Sequence, residues 1–282
     1  MKTMNKAISF IKLLIFYSLL FALAFIMLFP FWFMFIGGFR TTPQIHSLQF
    51  TLLPEYGFTY LKNFYGLFAK TYYLRSLINT AFLAAVRTGA NLFLASLAGY
   101  AFQKMYFVGK KQLFYFLLGT MMIPGTVTII PLYVMMAKFH WIDTYLPLIV
   151  PGMVGAFGVF IMKQYMSAVP DEIIYSARID GCGDFRTYIS IALPMVQSGL
   201  IVYGIILFMG SWNDFLWPLI IINNPELYVV TIILKSLRGA YNQMDFGVVM
   251  AGSFLSALPM IILFIAFKER LLTGIMAGGL KG

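Results

Sequence analysis

Charge is scarce in this chain. Asp, Glu, Lys and Arg make up 11% of its 282 residues, where a soluble domain carries about a quarter. So little charge cannot cover a water-facing surface, and much of the exterior must face lipid or another protein. One cysteine, Cys182, is present, which excludes an internal disulfide. The two histidines, His46 and His140, lie far apart in loops, so no cluster of zinc ligands is expected. No G-x-x-x-x-G-K-[ST] phosphate loop occurs, so that route to ATP binding is closed.

Apolar side chains are abundant: 61% of residues are hydrophobic and 18% aromatic, as interfacial anchoring of membrane spans requires. Six stretches reach the length of about 20 residues that crosses a bilayer. They lie near 13–36, 76–102, 112–136, 146–167, 195–221 and 247–267. The first follows a basic start (Lys2, Lys6), but it is too long for a signal-peptide core of roughly 7 to 15 residues and is expected to be an uncleaved span. Pro30, Pro124, Pro131 and Pro151 fall in or near these stretches and predict kinks. The expectation is an all-α membrane protein with residues 1–282 as a single transmembrane domain.

The net charge of +10 would suggest nucleic acid in a soluble protein. Here the basic residues sit in short loops between spans, so they report orientation and no nucleic-acid partner is expected. With the N-terminus inside, that side collects 12 of the 20 Lys and Arg residues against 7 outside, with Arg87 within a span. Both termini are therefore placed in the cytoplasm. Two outer segments, 37–75 and 222–246, are rich in aromatics, Asn, Gln and Pro; they read equally as connecting loops or as surfaces for a partner.

The one sizeable cytoplasmic loop, 168–194, has a pattern of its own. Pro170 suits a first helical position, and Asp171 and Glu172 suit the positive end of a helix. Ile173, Ile174 and Ala177 share a helical face. Gly181 and Gly183 break the chain, and Gly181 is expected in a backbone conformation other residues resist. Asp184 can cap a second short helix with Phe185, Tyr188, Ile189 and Ala192 on one side. Two short helices with a small apolar face and no core of their own fit either a groove in another protein or lipid head groups.

That loop resembles the coupling motif of ABC importer membrane subunits, in which E-A-A, two residues and D-G are followed about nine residues later by I-x-L-P. The matching positions are Tyr175, Ser176, Ala177, Asp180 and Gly181, then Ile191, Leu193 and Pro194. Tyr175 and Ser176 depart from the pattern, standing for Glu and the first Ala. Further likeness to sugar permeases lies in Ala98–Phe102 with Phe107, Gly109 and Lys110, in Met121–Gly125 with Ile130–Tyr133, in Trp212–Pro218 and in the ending Gly274–Gly282. Together these are similar to the shorter membrane subunit of maltose-type importers, a type I ABC importer permease with six transmembrane helices and a cytoplasmic coupling helix.

The resemblance implies a subunit of an ATP-driven importer of a sugar or oligosaccharide in a bacterial or archaeal cytoplasmic (inner) membrane. It implies a chain without catalysis or cofactor of its own, ATP and Mg being bound by the partner ATPase. The implied partners are a second homologous permease in a heterodimer, two ATPase subunits, an extracytoplasmic solute-binding protein, the sugar and the lipid bilayer. Tyr175, Ser176, Ala177, Asp180 and Gly181 would dock on the ATPase, and the tail after Thr273 is either a second ATPase contact or a frayed end.

Within the spans, Arg87 is the costly residue. Every Asp and Glu falls in a loop or at a span end, Asp214 being the borderline case, so no acidic partner is expected at its depth in this chain. Arg87 then pairs with the second permease, bonds open carbonyls, or faces the cavity, where it would favour an anionic sugar such as a uronate oligosaccharide. Asn91, Trp212, Asn213 and Asp214 are further candidates for the translocation path, with Asn79, Gln197 and Trp217 beside them. Each of the Asn and Gln residues reads alternatively as glue between helices, and each Trp as an interface anchor. Permeases for glycerol phosphate or another sugar derivative share these motifs. A stand-alone secondary transporter would need an intramembrane coupling site and two related halves, and neither is found.

Overall fold

The computed structural model describes residues 2–47, 51–239 and 245–279. Residues 240–244 of the second outer segment and 280–282 of the C-terminal tail lie outside the described residues. Among the described residues every regular element is helical. In the hydrocarbon of a bilayer only a helix satisfies its backbone donors and acceptors within one segment, so long apolar runs take this form.

The chain divides into two units. The first comprises Met1–Thr71 with Leu234–Leu258. Its long helix α1 (Lys2–Gly37) carries Pro30 without ending there. The described part of that span is only 6% buried, so it offers a wide apolar surface to lipid or a second subunit. Two short helices follow, α2 (Thr42–His46) and α3 (Lys62–Lys70). Asn63 Nδ2 donates to the carbonyls of Gly38 (2.9 Å) and Arg40 (2.7 Å), closing the turn after α1. The buried Arg40 guanidinium donates to Thr51 and to the Leu53 carbonyl, and its desolvation lowers its pKa.

The second unit comprises Tyr72–Ile233 with Pro259–Gly282. Its axis is α4 (Tyr73–Lys104), followed by α5 (Lys110–Thr120) and α6 (Gly125–Lys138). Next come α7 (Leu146–Ile149), which continues as a 3₁₀ turn to Gly152, and α8 (Ala156–Met166). The loop 168–194 holds α9 (Asp171–Ile179) and α10 (Asp184–Thr187), then a π-turn over Tyr188–Ala192 and α11 (Leu193–Met195). The chain goes on through α12 (Gln197–Trp212) and α13 (Leu216–Ile221). α14 (Val230–Gly239) and α15 (Phe246–Gly279) each run from one unit into the other.

Six spans result when each bent pair is counted as one. Phe10–Gly37, Tyr73–Lys104, Gln197–Ile221 and Phe246–Arg270 are long and apolar enough by themselves. α5 with α6 and α7 with α8 are the bent pairs. The stretch 112–136, expected as one kinked span, turns by 96° between Thr120 and Gly125. Pro124 stands at the N-cap of α6, where its missing N–H costs nothing, while Pro131 lies inside the helix. The second pair bends by a milder 41°.

Packing of the second unit rests on close helix approach. At Gly99 a Cβ would lie 2.8 Å from the backbone of Met162 and Lys163, so α4 and α8 touch main chain to main chain. A cluster of Ala95, Tyr100, Val159, Met162, Met166, Tyr188 and Tyr203 joins α4, α8, the π-turn and α12. A second, of Leu83, Met136, Leu148, Ile221 and Ile232, lies toward the other end of α4.

Candidate functional site

Two places in the second unit gather the residues singled out from the sequence. The first is within the membrane. Arg87 Nη1 donates to Asp214 Oδ2 at 2.9 Å, and both side chains are about four-fifths buried. This corrects the expectation that Arg87 lacks an acid in its own chain. α12 stops at Trp212, the chain unwinds over Asn213–Phe215, and α13 resumes at Leu216. That break carries Asp214 to the depth of Arg87. The Thr231 hydroxyl holds the same break through the Asp214 carbonyl at 2.7 Å.

Beside the pair lies a cavity of about 180 Å³ lined by Arg87, Thr88, Gly152, Ile206, Leu207, Gly210 and Ser211. At Gly152 a Cβ would stand 2.6 Å from Arg87 Nε, so a larger residue there would push the guanidinium off this turn. Thr88 Oγ1 and Ser211 Oγ are buried and have no hydrogen-bond partner. Such small hydroxyls in apolar runs give no signal by spacing or hydropathy, and the sequence reading passed over both.

The other path candidates separate. Asn91 is buried; its Oδ1 accepts from the Tyr203 hydroxyl at 2.9 Å and its Nδ2 donates to the Gly152 carbonyl at 3.0 Å. It is glue between α4, α12 and the turn after α7. Asn79 does likewise, donating to the carbonyls of Glu226 and Tyr228 and accepting from the Tyr145 hydroxyl. Trp212 is buried and stacks on Phe208 at 5.8 Å. Asn213 is exposed and bonds back to the Met209 carbonyl. Of these path candidates, only Arg87 lines the cavity, and Asp214 is bonded to Arg87.

The second place is the loop 168–194. α9 begins with Asp171 and Glu172 and carries Arg178 in its last turn, matching the helix dipole at both ends. It ends in a glycine cap: Gly181 has φ +81°, its N–H donates to the Arg178 carbonyl, and the Cys182 N–H donates to the Ala177 carbonyl. Two expected caps shift by one residue. Pro170 is extended and stands at the N-cap of α9. Gly183 takes that position for α10, and the Asp184 carboxylate pairs with Arg178 at 2.9 Å instead.

The two faces of this loop differ, against the expectation that it has no core to enter. Ile174 (1% exposed) joins Val169, Tyr188 and Met166 in the core of the unit, and Ala177 is buried as well. Tyr188 Oη bonds Ser96 Oγ at 2.7 Å, and burial pushes its pKa up. Lys104 at the end of α4 donates to the Val169 carbonyl and pairs with Asp171 at 2.6 Å. The outward side presents Tyr175, Ile179, Phe185 and Ile189. Ile173, Phe185 and Ile189 thus leave the faces assigned to them, while Ile174, Tyr188 and Ala192 take the inward positions. Of the motif residues, Tyr175, Ser176, Asp180 and Gly181 are exposed and Ala177 is not.

Residues 91–271 match the family of binding-protein-dependent transport system inner membrane components. The arabinooligosaccharides transport system permease of Halalkalibacterium halodurans is 31% identical, the match covering 92% of this chain and 93% of that one. The lactose transport system permease of Rhizobium radiobacter is 31% identical over 94% and 95%. The trehalose/maltose transport system permease of Thermococcus litoralis is 28% identical over 92% and 94%. A chain of a bacterial ABC transporter that imports the acidic polysaccharide alginate shares the fold, with a TM-score of 0.83 over 92% of this chain and 96% of that one at 18% identity.

Proposed function

The chain belongs to the family of binding-protein-dependent transport system inner membrane components, as a sugar ABC importer permease, and we propose that it moves an uncharged oligosaccharide across the inner membrane as one half of a permease pair. Its relatives are named for arabinooligosaccharides, lactose and trehalose/maltose, which supports that substrate class. The pair partner is a second homologous permease. Two ATPase subunits bind ATP and Mg, and an extracytoplasmic solute-binding protein delivers the sugar. The coupling loop faces the cytoplasm, and both termini lie on that side.

The observation that carries this reading is the two-sided loop. Ile174, Ala177 and Tyr188 bind it to the spans, while Tyr175, Ile179 and Phe185 stand outward. An exposed aromatic and aliphatic ridge fixed to the membrane core suits the groove of an ATPase. Tyr175, Ser176, Asp180 and Gly181 make that contact, and Ala177 supports it from beneath. ATP closes the ATPase pair, and the spans shift between inward-facing and outward-facing states with different affinities for partner and sugar.

The charge balance at the cavity supports an uncharged substrate. Arg87 is the cation at the cavity, and Asp214 neutralises it at 2.9 Å. Pairing with Asp214 offsets the attraction of Arg87 for a uronate oligosaccharide or glycerol phosphate, whereas sugar hydroxyls bond to either member. The test is purification of the tagged chain from its native membrane, identification of its companions, and reconstitution in proteoliposomes. ATP-driven uptake of arabinotriose, lactose or maltotriose in preference to a tri-uronate is expected. Recovery of the chain alone, transporting without ATP, would replace this reading with a secondary transporter.

A further inference from the structure

We propose that Lys104 is the positioning residue of the loop 168–194: it ends a stripe on α4 that seats both halves of that loop and makes α4 the span that receives its movement. The proposal rests on the reading in which this loop meets an ATPase, and deepens it. Ser96, Tyr100 and Lys104 stand four residues apart on α4, so their side chains share one face of the helix. Lys104 holds the start of the loop. Its Nζ donates to the Val169 carbonyl and pairs with Asp171 Oδ1 at 2.6 Å. Tyr100 and Ser96 hold the second half through one residue, Tyr188. The two tyrosine rings pack 5.5 Å apart, and the Tyr188 hydroxyl bonds Ser96 Oγ at 2.7 Å.

The depth of the lysine points to this role. Its side chain is 3% exposed, whereas that of Asp171 is 64% exposed. Lysine is buried to that degree almost only where it is paired. Replacing such a pair with apolar residues of similar volume is often neutral or stabilising. Packing alone therefore gives no reason for a cation at this position. What the cation adds is direction. It fixes the first turn of α9 through two partners, a main-chain carbonyl just before the helix and the carboxylate of its first residue.

The chain's own connections are poorly built to carry movement out of the loop. α8 ends at Met166, and the extended Pro170 stands between it and α9. Beyond α10 the chain passes through the π-turn Tyr188–Ala192, and Val196 (φ −104°, ψ 18°) interrupts the helix again before α12. Neither flanking span is one continuous helix with α9. α4 is unbroken over 32 residues, and its last residue is the one bonded to the start of the loop. A push on α9 thus reaches α4 sideways, through the stripe and first at Lys104. The same helix carries Arg87 at the cavity.

The test uses the complete complex in proteoliposomes with its binding protein, in a Cys182→Ser parent. Two quantities are read. One is sugar imported per ATP hydrolysed, with arabinotriose, lactose and maltotriose as probes. The other is the distance between spin labels on Phe93→Cys in α4 and Glu172→Cys in α9, both exposed positions. In the parent that distance should be narrowly distributed and the same without nucleotide and with ATP trapped. Lys104→Met keeps the aliphatic stem. It should broaden the distance and lower the sugar-to-ATP ratio about tenfold, the worth of one hydrogen bond to a charged group. Lys104→Arg, which keeps the charge and the donors, should recover most of the ratio. Lys111→Met, an exposed lysine outside the stripe, should match the parent. Where Lys104→Met fails to assemble, Asp171→Asn at its exposed site decides, with a ratio about threefold lower, as a partly exposed ion pair gives. Four results overturn the positioning role and leave the importer reading intact: Lys104→Met losing thermal midpoint but keeping the parent's ratio and distance, no recovery by Lys104→Arg, the parent's ratio in Asp171→Asn, or a parent distance that shifts on ATP trapping. No ATP-driven uptake of any probe by the wild-type complex overturns both.

Discussion

Cutting the Arg87–Asp214 pair from one side and from both sides should give opposite results. The N–O distance is 2.9 Å and each side chain is about a fifth exposed. Unit charges near 4 Å attract by about 1 kcal/mol in water and about 4 kcal/mol at an effective dielectric of 20. A pair at mid-span with limited exposure lies between, and we take about 2 kcal/mol as its coupling, within the range contacting residues show. Arg87→Met leaves the Asp214 carboxylate desolvated and unmatched, and Asp214→Leu does the same to the guanidinium. Each single change loses the attraction and strands a charge. The double variant strands none, so most of the loss should return. For a chain of this size a loss of about 2 kcal/mol lowers the thermal midpoint by about 5 °C. The assay is loss of the monodisperse peak on heating the purified complex, read for wild type, both singles and the double. Midpoint losses that simply add in the double variant would refute the pair as a coupled unit. Transport is the wrong readout here, because all three variants also alter the cavity.

Three further outcomes follow from single contacts. Gly181→Ala places a Cβ in open space but at φ +81°, so only the backbone objects, by about 1–2 kcal/mol; uptake should fall, and Gly181→Asn, which tolerates that conformation, should restore part of it. Gly158→Ala would put a Cβ 2.2 Å from Tyr203 Oη, so the Tyr203–Asn91 bond must break; a midpoint drop matching about 1–3 kcal/mol is expected, and an unchanged midpoint would show that α12 yields freely. Tyr188→Phe removes the Ser96 bond from a fully buried ring and should cost about 1 kcal/mol, since the Ser96 hydroxyl keeps the Leu92 carbonyl as acceptor; Tyr188→Ala should cost about 3–5 kcal/mol and lower ATP-driven uptake with it.

The spans were legible because their signal is additive: a window of apolar residues long enough to cross a bilayer needs no partner to be recognised. The coupling loop was legible because dipole charges, a glycine break and the following proline act locally. Direction was not. The stretch 112–136 averages to one apolar span, yet the chain turns by 96° at Thr120–Gly125, and hydropathy carries no information about angle. Pairing across the fold was hidden too. Asp214 lies 127 residues from Arg87, and only the unwound break at Asn213–Phe215 returns it to the same depth. Periodicity found the apolar face of α9 but not its cover, since nothing local says that Tyr188 and Met166 meet Ile174. Asn91 shows the converse: its polarity marked it for the path, and two hydrogen bonds commit it to packing.

One helix belongs to both functional places. α4 is cross-linked along its length within its unit: Asn79 to the turn at Glu226–Tyr228, Thr80 to Val230, Arg87 to Asp214, Asn91 to Gly152 and Tyr203, Ser96 to Tyr188, and Lys104 to Asp171. From Arg87 to Lys104 the helix spans about 26 Å. At the Lys104 end these bonds, with Gly99 packed on the α8 backbone, tie α9 to α4 and α8. Close-packed interiors transmit a displacement instead of absorbing it. A force on the outward ridge of Tyr175 and Ile179 is expected to move the Lys104 end of α4 together with α8. Farther along α4, Arg87 lines a cavity of about 180 Å³ and pairs with Asp214 in the unwound segment at 2.9 Å.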